Sequence, residues 1–227
     1  MSDNESDIVS PADSKMIAGT LGKNSLFNIK GKFFQYEELL KNEMYIDMFQ
    51  SGDVAIFRLT PDKYHFNHMP VAGIVLDIYE IDGSFNSCNP GAVVRIVEPF
   101  SKNKRVVTII ETDVDGGTCI GKVAMIEVAA LMIGDIIQCY CEKEYDNPSA
   151  LESGMFIKKG QPKSQYRPGS STDILIFQKN KIKFNDDIIS NMKNKTISSR
   201  YTLGFNEGCA ETEITVRSTI AKRRNDD

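Results

Sequence analysis

The chain has two histidines, three residues apart, in Tyr64-His65-Phe66-Asn67-His68-Met69-Pro70. Imidazole is the side chain best suited to move protons near neutral pH, so a spaced pair fits acid–base work. Two other readings stand beside that one. A metal centre would set HxxH on a helix with further ligands, but Pro61 and Pro70 bracket the segment and there is no third histidine. Two ordinary loop histidines need no partner at all. Asp13 follows Ser10-Pro11-Ala12 at the mouth of a turn, where Asp is commonly a turn former or cap. A carboxylate can also hold an imidazole in one tautomer and stabilise its charged form. Ser170 follows Gly169 in Pro168-Gly169-Ser170-Ser171, a turn by composition that enters the apolar run Ile174-Leu175-Ile176-Phe177. Asp13, His68 and Ser170 could make a Ser-His-Asp set, but their spacing does not show that they meet.

The elements that must position these residues read mostly as strands. Residues 54–60, 71–79, 92–98, 105–112, 119–129, 135–142, 154–160, 172–178 and 181–184 are rich in Val, Ile and aromatics, and Gly, Pro, Asn and Asp separate them. Residues 8–13 read as a short strand running into a turn. Residues 35–50 carry apolar side chains at helical intervals, with Gly52 as a stop. The pattern predicts a mainly β fold with a few helices (α+β), built on a compact barrel- or sandwich-like β core. No internal repeat is present. Beyond Asp186 the periodicity fades. Residues 1–204 read as a single domain, and 205–227, ending in RSTIAKRRNDD, as a charged, frayed tail.

At 227 residues and 41% hydrophobic, the chain can bury a real core. A net charge of −4 argues against electrostatically driven nucleic-acid binding. Cys88, Cys119, Cys139, Cys141 and Cys209 are odd in number and lack a repeated CxxC, so they read as reduced packing residues of a cytosolic-side protein. The acidic start MSDNESDIVS is no secretory signal, and the apolar stretch 123–137 is interrupted by Glu127 and Asp135. A cytoplasmic location without a transmembrane segment is the expectation.

The order and wording of the motifs resemble the phosphatidylserine decarboxylase family. VSPAD (9–13) is similar to the family segment bearing a triad aspartate, and IKGKFFQYEELL (29–40) to its K-G-x-x-[YF]-x-L-x-x-L-L stretch. LTPDKYHFNHMPVAG (59–73) resembles L-x-P-x-D-Y-H-x-x-H-x-P-x-x-G, and NKRV (103–106) resembles N-E-R-V. VAALMIGDI (128–136) is similar to V-G-A-x-x-V-G-S-I, and KKGQPKSQYRPGSS (158–171) to K-G-x-E-x-G-x-F-x-x-G-S-[ST]. The six stretches are collinear, and the resemblance runs from Val9 to Leu203.

The resemblance implies a proenzyme that cuts itself between Gly169 and Ser170, giving a β chain of residues 1–169 and an α chain of residues 170–227. The Ser170 hydroxyl attacks the Gly169 carbonyl, with His68 as base and Asp13 as its orienter, and the amide becomes an ester. β-Elimination frees the Gly169 carboxylate and leaves dehydroalanine, which hydrolyses to a pyruvoyl group and ammonia. That covalent pyruvoyl then serves as the electron sink for decarboxylation, with His65 managing protons and no separate cofactor or metal. The implied substrate is phosphatidylserine or a related amine-bearing compound, met through peripheral contact at a membrane surface. Lys159, Lys163 and Arg167, with Lys158, are candidate contacts for a phosphate head group, and a solvated basic loop is the plainer reading of the same residues. A homodimer is left open.

The chain departs from the family pattern at several points. Ser14 stands where Gly usually follows the Asp, Pro162-Lys163-Ser164 replaces E-x-G, and Pro168 precedes the Gly-Ser bond. Ala129 and Asp135 replace small residues. The Asp motif begins within ten residues of Met1, whereas relatives usually carry a membrane-associating or targeting segment ahead of it. Two alternatives therefore remain: a pyruvoyl decarboxylase of a free amino acid, and an unprocessed family member acting as a binding module.

Overall fold

The computed structural model describes residues 4–22, 36–95, 99–131, 135–167, 171–205 and 208–224. Pro168, Gly169 and Ser170 lie outside the described residues, as do 29–35 and 132–134 of the quoted motifs and 96–98 of the expected strands. The chain begins β1 (Asp7–Val9), β2 (Ser14–Thr20), α1 (Tyr36–Leu40), α2 (Glu43–Phe49), β3 (Asp53–Leu59), β4 (Phe66–His68) and β5 (Gly73–Ile81). Then come α3 (Pro90–Arg95), α4 (Pro99–Lys102), β6 (Arg105–Glu111), β7 (Lys122–Ala129), β8 (Ile136–Gln138), β9 (Phe156–Ile157) and β10 (Pro162–Tyr166). It ends with β11 (Ser171–Phe177), β12 (Ile182–Phe184), α5 (Asp186–Lys193), α6 (Arg200–Phe205), β13 (Thr212–Ile214) and β14 (Thr219–Arg223).

An eight-stranded antiparallel sheet, ordered β13-β2-β3-β11-β7-β6-β5-β9, carries two smaller sheets, β4-β10-β8 and β1-β14-β12. Among the described residues β13 and β9 do not pair with each other, so the large sheet is open and the fold is mainly β without a closed barrel. β11 sits in its middle and pairs along all seven residues with both β3 and β7. Successive side chains on a strand point to opposite faces. Ile174 and Ile176 of β11 therefore join Ile56 and Ile126 under the helices, against Leu39, Phe49 and Tyr201. Leu175 and Phe177 face the other way, onto Ile8, Phe184 and Ile220 of the smaller sheet. Each such side chain contributes about 1.5–3 kcal/mol on burial.

Two motif stretches have plain structural reasons. Arg105 of NKRV is fully buried, and its guanidinium donates to the carbonyls of Leu39, Glu38 and Asn103 at 2.8, 2.6 and 2.7 Å. It thus satisfies the carbonyls at the end of α1 that a helix leaves unpaired. Gly73 closes the histidine motif where a Cβ would lie 2.3 Å from the Glu111 carbonyl oxygen, so β5 and β6 can approach only through glycine.

Several expectations are corrected. Of the expected strand 92–98, the described residues 92–95 are not a strand but part of the helix α3 (Pro90–Arg95). Asn89 accepts the Ala92 N–H at 3.0 Å and Pro90 opens the first turn, a helix start that outweighs the β-branched run. The helix over 35–50 is two, α1 and α2, broken at Lys41 (φ 51) and restarted by Asn42, which caps Met44. Cys119 is exposed rather than packed. The C-terminal segment is not frayed across its described residues, since β13 pairs with β2 and β14 with both β1 and β12. Within β14 the buried residues are Ile220 and Ala221, and the charges around them mask so short a strand.

Candidate active site

His68 ends β4, and β4 is bonded to β10 with Pro162 opposite His68 and Gln165 opposite Phe66. The His65 carbonyl accepts the Tyr166 N–H at 3.0 Å. The histidine pair is thus joined to the strand that ends at Tyr166, and residues 167–170 connect that strand to Ser171 at the start of β11. The Asp13 turn meets the same place, because the His68 N–H donates to the Pro11 carbonyl at 2.8 Å.

The His68 ring is buried and held at both nitrogens. Nδ1 lies 2.9 Å from the Gly160 carbonyl oxygen, which can only accept, so Nδ1 carries the proton. Nε2 is then a bare acceptor, facing the Tyr64 hydroxyl at 2.9 Å. Tyr64 in turn lies 2.5 Å from the Tyr145 hydroxyl. Arg217 Nε donates to the Gly160 carbonyl at 2.8 Å and approaches Nδ1 to 3.2 Å. Burial pushes the His68 pKa down to about 4; the Arg217 cation adds to this, while the Gly160 carbonyl and the Asp13 carboxylate oppose it. Burial, reinforced by the Tyr145 hydroxyl, raises the Tyr64 phenol. At neutral pH His68 is therefore a neutral imidazole with Nε2 available as a base.

Asp13 is beside this ring without bonding it. Its Oδ1 accepts the Val216 N–H at 2.7 Å, and it acts on His68 through charge. The tautomer-fixing bond expected of Asp13 is made by the Gly160 carbonyl. Gly160 has a positive φ of 78°, which turns that carbonyl inward at no steric cost. His65 Nδ1 is bonded to the Lys63 carbonyl.

Sequence reasoning missed Arg217, Tyr145 and the Gly160 carbonyl. Arg217 lies in the segment read as a tail, and its φ of 65° marks it as a strained turn residue, which no sequence signal revealed. Tyr64 stood inside the quoted motif and was not singled out.

A second polar centre lies where β4, β10 and β8 cover the large sheet. Glu127 and Lys163 are fully buried and ion-paired at 2.5 Å. Lys163 also donates to Gln138 Oε1 at 2.8 Å. Gln138 and Asn67 donate to Glu127 at 3.1 and 3.2 Å, and the Ser164 hydroxyl donates to its Oε1. Lys163 thus has no charge to offer a head group at the surface. Lys159 Nζ donates to the carbonyls of Asn4 and Asp7 at 2.6 and 3.1 Å, tethering the N-terminal segment. Arg167, at the end of β10, is exposed.

Among the described residues no group of three or more His, Cys, Asp or Glu is placed to hold a metal ion. No described helix is long and apolar enough to cross a membrane.

The family model for phosphatidylserine decarboxylase matches residues 1–201. The chain is 34% identical over 202 residues to a phosphatidylserine decarboxylase proenzyme of Fusobacterium nucleatum, covering 88% of this chain and 62% of that protein. It is 33% identical over 221 residues to one of Clostridium tetani, covering 97% and 64%. It is 35% identical over 182 residues to one of Chlamydia trachomatis, covering 80% and 55%. The chain therefore spans less than two thirds of the length of these curated relatives. With the family model matching through residue 201 and the histidine motif folded beside the strand that leads to Gly169-Ser170, the chain belongs to the phosphatidylserine decarboxylase family.

Proposed function

We propose that this chain is a self-processing decarboxylase precursor. It cuts itself between Gly169 and Ser170 into chains of residues 1–169 and 170–227, then converts phosphatidylserine to phosphatidylethanolamine and carbon dioxide. The observation that carries this reading is His68: a neutral base with Nε2 bare, on a strand bonded to the one that runs to the cut.

In this reading the Tyr64 hydroxyl yields its place at Nε2 to the Ser170 hydroxyl, and His68 takes that proton as the Gly169 carbonyl is attacked. Asp13 favours the imidazolium that forms, through its charge, while Arg217 and burial keep the ring neutral beforehand. The pyruvoyl group left at residue 170 supplies the electron-withdrawing carbonyl that lets carbon dioxide depart. The polar surroundings fit such a group, since the buried Ser171 hydroxyl next to it has no hydrogen-bond partner among the described residues. His65 handles protons in the second reaction, and Arg167 is an exposed cation for the head-group phosphate. No separate cofactor or metal enters, and contact with the lipid surface is peripheral. The two chains stay together because β11 is held on both sides by β3 and β7, and β13 and β14 pair with β2 and β1.

Intact-mass measurement tests the first step: two chains are expected, the smaller beginning at a blocked residue 170, and Ser170→Ala stays whole. A single uncut chain after prolonged incubation overturns the proposal. Carbon dioxide release from phosphatidylserine in detergent, compared with free serine and tryptophan, tests the second step. Turnover of a free amino acid without the lipid would reassign the substrate.

A further inference from the structure

Asp173 is buried at 0% exposure on β11, three residues beyond Ser170, directly opposite Glu127 of β7. Residues opposed in this way hold their Cβ atoms about 4.5–5.5 Å apart, so the two buried carboxyl groups are neighbours on one face of the sheet. The charged groups facing Asp173 are Glu127 from β7 and Lys163 from β10, and the titratable phenol of Tyr166 also comes from β10. On the β3 side it is opposed by Phe57, which carries no charge.

One lysine can balance one carboxylate. Glu127 is the ionised partner, because Lys163, Gln138, Asn67 and Ser164 all donate to it. Asp173 has only the Tyr166 hydroxyl, 2.7 Å from Oδ1, and its Oδ2 has no partner among the described residues. The same hydroxyl lies 3.1 Å from the Thr172 carbonyl. A phenol has one proton and cannot donate fully to both acceptors; a protonated carboxyl supplies the second. Burial, and then Glu127, hold the Asp173 carboxyl well above the usual carboxylate range.

We propose that Asp173 keeps its proton in the folded protein and is a positioning residue, its bond to Tyr166 holding together the two ends that the cut creates. The inference rests on the proposed cleavage: Tyr166 lies three residues before the new end at Gly169, and Asp173 three after Ser170. Once the peptide bond is gone, this clasp joins one chain to the other within a few residues of the reacting group. An ionised Asp173 would stand unbalanced beside Glu127, so the clasp is a neutral one.

The test uses the full chain and the conservative variant Asp173→Asn, which mimics a neutral acid. In an uncut Ser170→Ala background, urea unfolding is followed between pH 5 and 7. A carboxyl protonated when folded and ionised when unfolded makes the Asn-to-Asp ratio of folding constants rise about tenfold per pH unit. A flat ratio overturns the retained proton. In the cleavable chain, rates of cutting and of carbon dioxide release are measured against pH. Expected are a fall on the alkaline side with Asp173, rescue of that limb by Asp173→Asn, and a lowered kcat at every pH for Tyr166→Phe with KM unchanged. Parallel profiles for Asp and Asn, or full kcat in Tyr166→Phe, overturn the positioning role. A chain that never cuts makes no new ends and also overturns that role, while the unfolding series still decides the proton independently.

Discussion

Two polar centres lie against β10, and they use buried charge in opposite ways. At the His68 centre the ring itself is buried, yet Tyr64 and Arg217 around it reach solvent and Tyr145 is half exposed. Its base is neutral, its acceptor nitrogen points at a hydroxyl that can leave, and its nearest cation bonds a carbonyl instead of a carboxylate. At the Glu127 centre every member but Gln138 is sealed, and one carboxylate receives four donors. The first arrangement leaves a proton acceptor ready. The second spends its donors on holding still. Polarity alone does not distinguish a reacting site from a fastening; access and the satisfaction of each atom do.

The contrast can be broken from either side. The largest effect is expected from His68→Ala, which should slow self-cleavage by about 10²–10⁴-fold, the usual contribution of a positioned base. Time-resolved intact mass checks it, and cleavage at the normal rate would remove His68 from the mechanism. Next is Lys163→Met, which strands Glu127 in the interior and should cost about 3–5 kcal/mol in urea unfolding. Adding Glu127→Gln should recover much of that loss; equal losses in the single and double variants would mean that the pairing is not what Lys163 provides.

A subtler break is Arg217→Gln. With the cation gone, the His68 pKa should rise from about 4, and the acid limb of the cleavage profile should move up with it. An unmoved limb would show that burial alone sets the base. The sign for stability follows from the same group. His68 has a folded pKa below its unfolded one, so the unfolded chain binds the extra proton between pH 6.5 and 4 and stability falls as pH drops through that window. His68→Gln should flatten that part of the stability profile. The smallest effect belongs to the exposed pair Lys63–Glu213, at the rim of the site. Lys63→Ala should cost less than about 1 kcal/mol, and a larger loss would place this rim in the same class as the sealed centre.

The legibility of the two centres differs for a physical reason. The His68 centre announced itself because its residue types are rare here, two histidines at fixed spacing within a quoted motif. The Glu127 centre was opaque. Lys163 read as a loop cation available to a head group, and Glu127 as an interruption of an apolar run, because a charged residue is ordinarily exposed. Only the cross-strand register of β7 with β11, and the covering of that face by β10, bring them together. Strands with near-continuous apolar runs between turn residues, such as β3, β6 and β11, were readable within a residue or two. The helix α3 was not, because Asn89 and Pro90 decided locally against the preference of the Val-Val-Arg-Ile-Val run.

By itself the sequence determined the chemistry on offer: a base pair of histidines, an aspartate turn, a Gly-Ser bond before a buried strand, and a mainly β scaffold. Those follow from residue type and from short apolar runs set between turn residues, which act locally. Tertiary structure decided which of these groups meet. It gave the tautomer-fixing role to the Gly160 carbonyl, returned Arg217 from the far end of the chain to the base, and set Asp13 beside the ring as a charge. Such pairings depend on strands far apart in sequence sharing a register, and no local preference encodes them. In the proposed function Gly169-Ser170 is the bond that is cut, with His68 proposed as its base and the bond between Asp173 and Tyr166 as a clasp between the resulting chains.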